Sequence, residues 1–240
     1  STASWSRFLR QTGGTWQAQW DAQTGVPRRL FGRGVVVAGS VATPSVAAQA
    51  AQAFLHAHRD LLAPGTLDGD FVVTVNDLDR GLRTVVLAQT YDGAPVRGGQ
   101  VSFRFKNDRL FVVGSEAWPG VRVRAATAKA SLAAARENAR AWLAAEGGKR
   151  ATAHAASEPM VLPLVHADGV IAYRRVREVS VDTTAPRARW SVFVDAATGL
   201  PVARQQNLRF GAGTVHYNAP IRNPLLERAD YPAARAQVTV

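Results

Sequence analysis

The histidines are the first residues to test for chemistry, because metal binding and general-base catalysis both rely on imidazole. The sequence contains five His and no Cys, which excludes disulfides, thiolate zinc sites and cysteine nucleophiles. His56 and His58 lie two positions apart in a segment with helical spacing, so their side chains point about 200° away from each other. We therefore interpret both as residues of a helix surface and not as a metal pair.

The motifs of common enzyme classes are absent from the sequence. There is no His-Glu-x-x-His of zinc peptidases and no Gly-x-Ser-x-Gly of serine hydrolases. The segments 32–34 and 211–213 lack the third glycine of a phosphate loop and are interpreted as turns. The segment 76–81 resembles the opening of a calcium loop, but no acidic residue closes it, which favours a β-turn. The sequence predicts no catalytic residue, no metal site and no cofactor, and hence a protein that is not itself an enzyme.

The strongly basic composition bears on which kinds of partner the protein could bind. The chain has 29 Lys and Arg against 18 Asp and Glu, a net charge of +11. Arg122 and Arg124, like Arg187 and Arg189, are two residues apart, so each pair lies on one face of a strand. The aromatic residues fall on strand-core positions, which argues against nucleic-acid binding. We expect solvated strand faces or a patch for an acidic protein partner, and no apolar run approaches the ~20 residues of a membrane span.

The most informative pattern is an internal repeat, in which Trp16–Pro27 aligns with Trp190–Pro201. It predicts a strand that ends in a hairpin loop, where an Asp carboxylate accepts backbone N–H groups and a Gly adopts a positive φ. We expect these residues to be structural rather than catalytic. The predicted turn residues are Asp21, Thr24 and Gly25 in the first copy and Asp195, Thr198 and Gly199 in the second.

Between the two copies, the pattern predicts two blocks, each a helix followed by an antiparallel sheet. The first helix should begin near Thr43-Pro44 and end before Pro64-Gly65, and the second should run from about Thr127 to Glu146. Lys149–Ser157 is predicted to be a loop. The strands are predicted at Phe71–Asn76, Arg83–Tyr91, Val101–Lys106, Leu110–Ala117, Met160–Val165, Val170–Val179, Arg189–Val194 and Leu200–Arg204. The fold class is therefore α+β.

Three segments resemble a known family. Ala48–Leu62 and Val85–Val121, which include the turn Tyr91-Asp92-Gly93-Ala94-Pro95-Val96-Arg97-Gly98-Gly99-Gln100-Val101, look like the fungalysin/thermolysin propeptide domain. Ala128–Pro201, which contains the second repeat, looks like the PepSY module that commonly follows that domain. The resemblance covers roughly residues 40–205. It implies two helix-plus-curled-antiparallel-sheet (cystatin-like) modules in tandem with an extended C-terminal arm.

These boundaries divide the chain into four parts. Residues 1–39 are expected to form N-terminal strands with the first Trp-Asp-Thr-Gly hairpin. Residues 40–122 are the propeptide-like domain and residues 123–210 the PepSY-like domain. Residues 211–240 are expected to be an extended linker or arm toward a missing peptidase domain, because three prolines there favour extended backbone.

The resemblance implies a function as well. Such prosegments precede secreted zinc metallopeptidases, assist their folding as intramolecular chaperones and inhibit them until cleavage. The expected partner is therefore a cognate zinc metallopeptidase domain, and the expected location is secreted or periplasmic in a bacterium. The alternative is a free-standing periplasmic or extracellular binding module for peptides or an anionic cell-surface polymer.

The C-terminal arm supplies the candidate contacts to that partner. Thr214–Tyr217 is predicted to be able to add to a sheet edge, and Gln237–Val240 is a β-type run with no predicted partner within the chain. His216 is expected to be an exposed strand residue rather than a zinc ligand. The candidate contact residues are Asn207, Arg209, Phe210, Thr214, His216 and Tyr217.

Overall fold

The computed structural model describes residues 2–124 and 129–207, together with the backbone of residues 212–217 and 234–239. The fold is α+β, with one large sheet and few helices. In the described ranges, no helix combines the length and the apolar character that crossing a membrane requires. The helices are α1 (Thr2–Thr12), α2 (Pro44–Ala57), α3 (Arg59–Leu62) and α4 (Leu132–Ala145), with a 3-10 turn at Asp68–Asp70.

With one exception among the described pairs, neighbouring strands are antiparallel. They are β1 (Gln17–Trp20), β2 (Pro27–Val36), β3 (Phe71–Asp79), β4 (Leu82–Tyr91), β5 (Ala94–Lys106), β6 (Arg109–Ser115), β7 (Thr152–Ala156), β8 (Met160–Val165), β9 (Ile171–Thr184), β10 (Arg187–Asp195), β11 (Pro201–Gln206), β12 (Ala212–Tyr217) and β13 (Ala234–Thr239).

The large sheet has two halves, and β5 of the first half also pairs with β8 of the second. The first half, called the first sheet below, has the order β1-β2-β6-β5-β4-β3. The second half, the second sheet, has the order β8-β9-β10-β11, with β7 pairing to β9 farther along that strand. The halves meet where Val96 of β5 pairs in parallel with Val161 of β8.

Helices α1, α2 and α3 cover one face of the first sheet, where an aromatic core lies. Pro44 begins α2 directly after Thr43, as the sequence predicts, since the fixed φ of proline suits the first helical turn. Phe8 of α1 stacks edge-on against Trp16 and Phe54, and Phe54 lies edge-on to Phe103 of β5. The N-terminal segment therefore belongs to this core.

Helix α4 covers the second sheet with a smaller aliphatic core. Its first turn is capped by Ser131, whose Oγ accepts a hydrogen bond from the Ala134 N–H at 3.1 Å. Ala135, Ala139 and Leu143 are buried against valines of β9 and β10. Leu132, the first residue of the helix, is 50% exposed and takes no part in this core.

Four expectations about local structure are wrong. The segments 32–34 and 211–213 are predicted to be turns, but 32–34 lies within β2 and residues 212 and 213 begin β12. The N-terminal part begins with α1 rather than with strands, because Trp5, Phe8 and Leu9 form an apolar stripe that packs onto the first sheet. The predicted loop at 149–157 contains β7, which pairs with β9. The second helix starts at Leu132 rather than near Thr127, at the point where Ser131 supplies the cap.

The C-terminal arm also differs from its prediction. Strands β12 and β13 pair with each other in a two-stranded antiparallel sheet, with Thr214 opposite Gln237. The run Gln237–Thr239 therefore has a partner, because the chain returns on itself. Residues 218–233 lie outside the described residues.

Candidate functional site

The first repeat forms a hairpin loop that is closed by one carboxylate oxygen. Asp21 Oδ1 accepts hydrogen bonds from the backbone N–H of Gln23 at 3.0 Å and of Thr24 at 2.8 Å. The Thr24 hydroxyl donates to the same oxygen at 2.9 Å. Gly25 adopts φ 69° and donates its N–H to Asp21 O at 2.9 Å, a conformation that favours glycine.

The second repeat has the same loop. Asp195 Oδ1 accepts the backbone N–H groups of Ala197 and Thr198, each at 3.0 Å, and the Thr198 hydroxyl lies at 3.3 Å. Gly199 adopts φ 74° and donates to Asp195 O at 2.9 Å. In each loop the Asp carboxylate holds the backbone of the turn, so the geometry of these residues is that of turn anchors. The second loop is also held from outside, because Gly199 O accepts a hydrogen bond from the Asn138 side-chain amide at 2.8 Å.

The hydrogen bonds also determine the charge of the two carboxylates. The pKa of Asp21 lies below its usual value chiefly because the Thr24 N–H stabilises the ionised form. Burial alone would raise the pKa of Asp195, but the donors at Thr198 and Ala197 outweigh it and lower the pKa. Both side chains are therefore ionised at neutral pH.

The equivalence of the two repeats extends to the way in which their strands pair. Ala18 pairs with Leu30 in the first hairpin, and Val192 pairs with Arg204 at the equivalent position of the second. Each hairpin has a register shift at the same place, just before the pair nearest the loop. The two hairpins are thus equivalent residue by residue along both strands.

The two hairpins dock through opposite strands. The first is held by its return strand, since β2 pairs with β6 and β1 has no described strand on its other side. The second is held by its leading strand, since β10 pairs with β9 and no described strand lies beyond β11. Leu30 is consequently buried at 0% exposure. Its equivalent Arg204 lies on an edge strand, over the rings of Trp142 and Trp190.

The segment Tyr91–Val101 forms the junction between the two sheets. Ala94 and Val96, in the first half of β5, are buried in a cluster with Val121 and Val161. This cluster contains residues from both halves of the large sheet. The segment that carries the family resemblance therefore positions one half of the molecule against the other.

Arg97 ties this junction to the second sheet. Its Nη1 donates to Glu178 Oε2 at 2.9 Å, and its Nη2 donates to Gln205 Oε1 at 3.2 Å. The guanidinium also lies 4.6 Å from the centre of the Phe193 ring. The Arg97 and Glu178 side chains are only 34% and 27% exposed, so the pair is partly shielded from water.

A buried amide supports the same strand from the first sheet. Gln89 is 1% exposed, donates to Trp118 O at 2.9 Å and accepts the Trp118 N–H at 2.8 Å. The Trp118 indole then donates to Arg97 O at 3.1 Å. A Cβ at Gly99 would come within 2.5 Å of Gln89 Oε1, so the close approach requires glycine there.

The face of the first sheet opposite the helices carries cations without described carboxylate partners. One cross-strand row contains Phe31, Val112 and Arg104. Phe31 and Val112 are half-buried and Arg104 is exposed. Arg29 and Lys106 lie on the same face, and within residues 2–124 and 129–207 no carboxylate is within 4 Å of these three cations. We call Arg29, Phe31, Arg104, Lys106 and Val112 the basic face.

His56 and His58 have different surroundings in the structure. His56 Nδ1 lies 2.8 Å from Asp68 Oδ1 at the surface. The His58 ring lies edge-on to Phe8 and Phe54, at 4.9 Å and 4.6 Å between ring centres. Burial lowers the pKa of His58, which favours the neutral ring. In the described part of the chain, no group of three His, Cys, Asp or Glu side chains has the arrangement of a metal site.

The predicted contact residues are largely outside the described residues. Asn207 donates its N–H to Arg189 O at 2.7 Å and its side-chain amide to Ser191 Oγ at 2.8 Å, so it extends β11 by one residue. Arg209 and Phe210 are not among the described residues. The backbones of Thr214, His216 and Tyr217 lie in β12, and their side chains are outside the description.

The sequence interpretation missed the first half of β5 and the role of Arg97. The predicted strand began at Val101, because Pro95 and the adjacent glycines at 98 and 99 are unusual within a strand. The strand extends back to Ala94 because β4 and β8 pair with it there. The clue was the alternation of Ala94 and Val96 with exposed neighbours, which is typical of a half-buried strand.

No family model and no curated protein matches the chain. Among solved structures, it is similar to the Bacillus megaterium YpeB C-terminal domain, with 12% sequence identity and a TM-score of 0.37. That similarity covers 87% of this chain and 96% of the other. A likeness of this degree assigns neither a family nor a function.

Proposed function

We propose that this chain is a non-catalytic propeptide, acting as an inhibitor and intramolecular chaperone of a secreted zinc metallopeptidase. The observation that carries the proposal is the position of Tyr91–Val101. The segment with the family resemblance is also the strand that both halves of the sheet share. An inhibitor needs an interaction surface whose parts are held in a fixed arrangement before binding. In this proposal, the two halves correspond to tandem cystatin-like modules.

The surroundings of the polar groups support a binding role rather than chemistry. His58 lies among phenylalanines, and Asp21 and Asp195 are occupied by their own loops. Neither carboxylate has a free, shielded position from which to move a proton on a substrate. A propeptide needs no such group, because it acts by occupying its partner.

The basic face supports a partner with an acidic surface. Its half-buried Phe31 and Val112 lie beside exposed cations, which is the apolar centre and charged periphery of a protein interface. A flexible anionic polymer would need the cations but not the apolar residues. Complementary charge would mainly accelerate association with the peptidase.

The test is inhibition of the zinc metallopeptidase domain encoded in the same reading frame, added as a separate chain. We expect the wild-type chain to inhibit it stoichiometrically and to raise its yield on refolding. The variant Arg104→Glu/Lys106→Glu should weaken inhibition about tenfold at low salt and much less at high salt. The control Arg124→Glu/Arg187→Glu makes the same charge change away from this face and should leave inhibition unchanged.

Two results would contradict the proposal. One is a reading frame without a peptidase domain, together with no inhibition of any thermolysin-type enzyme by the full chain. The other is salt-sensitive binding of dextran sulfate through Arg104 and Lys106 without peptidase binding. The second result would favour the alternative, a free-standing module for an anionic polymer.

A further inference from the structure

The outer edge of β11 has no described partner strand, whereas the equivalent edge of β2 in the first hairpin pairs with β6. Leu30 of the first hairpin pairs with Val113 of β6. Its equivalent Arg204 has no described strand beyond it. The exposed residues Arg204, Gln205 and Gln206 leave this edge accessible. Both hairpins therefore have a return-strand edge that can pair with an antiparallel strand, and within the described residues only the edge of the first hairpin is paired.

The backbone direction at this edge follows from one hydrogen bond. Asn207 donates its N–H to Arg189 O at 2.7 Å, so its backbone faces β10. Backbone groups alternate in direction along a strand, so those of Gln205 also face β10. Those of Arg204 and Gln206 face outward. Leu30, the equivalent of Arg204, directs its own groups toward β6 in the same way.

We propose that the outer edge of β11 binds an extended segment of the partner peptidase as an added antiparallel strand. This inference rests on the proposed function and names the contact by which the propeptide would hold its partner. Backbone pairing would supply the affinity, and the side chains beside the edge would supply selectivity. Because Arg204, which is ion-paired with Glu146, replaces Leu30 at the central position, the partner residue opposite it should be polar rather than apolar.

A second copy of this chain fits the edge less well. Antiparallel pairing of two β11 strands would bring the two Arg204 residues close together, and each chain carries a net charge of +11. A polyanion without a peptide backbone has no groups that could continue the ladder. The edge therefore favours a polypeptide of a different chain.

The experiment removes one outward N–H while leaving the inner ladder intact. Gln206→Pro lacks the outward donor, and proline is tolerated on edge strands where its nitrogen faces solvent. We expect this variant to keep the melting temperature and to inhibit the peptidase about tenfold less well. Gln206→Ala retains the N–H and should inhibit like the wild type. In the wild-type complex, amide exchange at Arg204 and Gln206 should slow.

The outcomes separate this inference from the proposed function. If the wild type inhibits and Gln206→Pro inhibits equally well, the strand-addition inference is wrong while the propeptide function stands. If the wild type does not inhibit, both are wrong. If the free chain sediments as a dimer that Gln206→Pro dissociates, the edge binds a second copy and the inference is likewise overturned.

Discussion

The first and second hairpins share a loop and a strand register, but they are built into the molecule in different ways. In the first hairpin the return strand is interior, Leu30 is fully buried, and Trp16 lies among aromatic rings at 4% exposure. In the second hairpin the return strand is an edge among the strands described, and Trp190 stacks under Arg204. The loop therefore specifies how the two strands pair, whereas the surroundings specify which of them is buried.

The cores against which the two hairpins pack also differ, because the first contains buried aromatic side chains and the second does not. The first contains Phe8, Trp16, Phe71, Phe103 and Phe105 under three helices. The buried members of the second are Ala, Val and Leu only, under one helix. Aromatic side chains bury more area, so the first half should supply more of the free energy of unfolding.

The largest expected effect is that of Leu30→Arg. This change places the residue of the second hairpin at the equivalent buried position of the first, where no carboxylate is available among the neighbours described. We expect a loss of more than about 4 kcal/mol, enough to prevent folding at 37 °C. The measurement is chemical denaturation, with Leu30→Met as a control that should cost less than about 1.5 kcal/mol.

Arg97→Met should have the next largest effect, because it uncouples the halves. The change leaves Glu178 without its partner at a partly shielded position and should cost about 1–3 kcal/mol. Arg175→Met is the matched control, because its partner Asp92 is 78% exposed and the pair should contribute less than about 1 kcal/mol. Equal losses in the two variants would mean that the Arg97 contacts do not hold the junction.

The loop carboxylates should have similar, smaller effects. Asp21→Ala and Asp195→Ala should each cost about 1–2 kcal/mol, with Asp195 at the upper end because it also lies 3.6 Å from Arg174. Both pKa values are lowered from 3.8, so the stabilisation is present above pH 3.8 and is lost as the pH falls through the folded-state pKa. The gap between wild type and Asp195→Ala should therefore close below about pH 4. A variant with unchanged stability that no longer inhibits would instead make the loop a contact site.

His58 provides a test confined to the first half. Its pKa is lowered from 6.5, so its contribution to stability is complete above pH 6.5 and declines as the pH falls through the folded-state pKa. The melting temperature of the wild type should drop between pH 7 and about 5. His58→Phe should flatten this profile. An unchanged slope in His58→Phe would show that other groups dominate.

The smallest expected effect is that of the reverse substitution at the equivalent position. Arg204→Leu places the residue of the first hairpin on the edge of the second, where the side chain is 33% exposed. It removes the ring contacts and the ion pair to Glu146, so we expect a change of less than about 1 kcal/mol in the free energy of unfolding. A large loss would mean that the ring contacts and the ion pair of Arg204 contribute much more than partly exposed contacts usually do.

Much of the fold could be predicted because the signals are local. Thr43-Pro44 marks the start of α2, and Met160–Val165 is a strand with the predicted bounds. Helix α1 was missed although Trp5, Phe8 and Leu9 have helical spacing. Strand β7 was missed because Thr152–Ala156 has no strong β-formers and becomes a strand only by pairing with β9.

Both hairpin loops follow from local sequence, because an Asp, a Thr and a Gly at fixed spacing form the hydrogen bonds and the backbone turn within a few residues. The strand register inside each hairpin follows from the same residues, since the loop dictates which residues face each other. Which strand of each hairpin is interior depends instead on contacts with distant parts of the chain. That choice depends on β6 for the first hairpin and β9 for the second. The backbone of either strand can pair on its outer side, so the decision belongs to whichever distant strand arrives there.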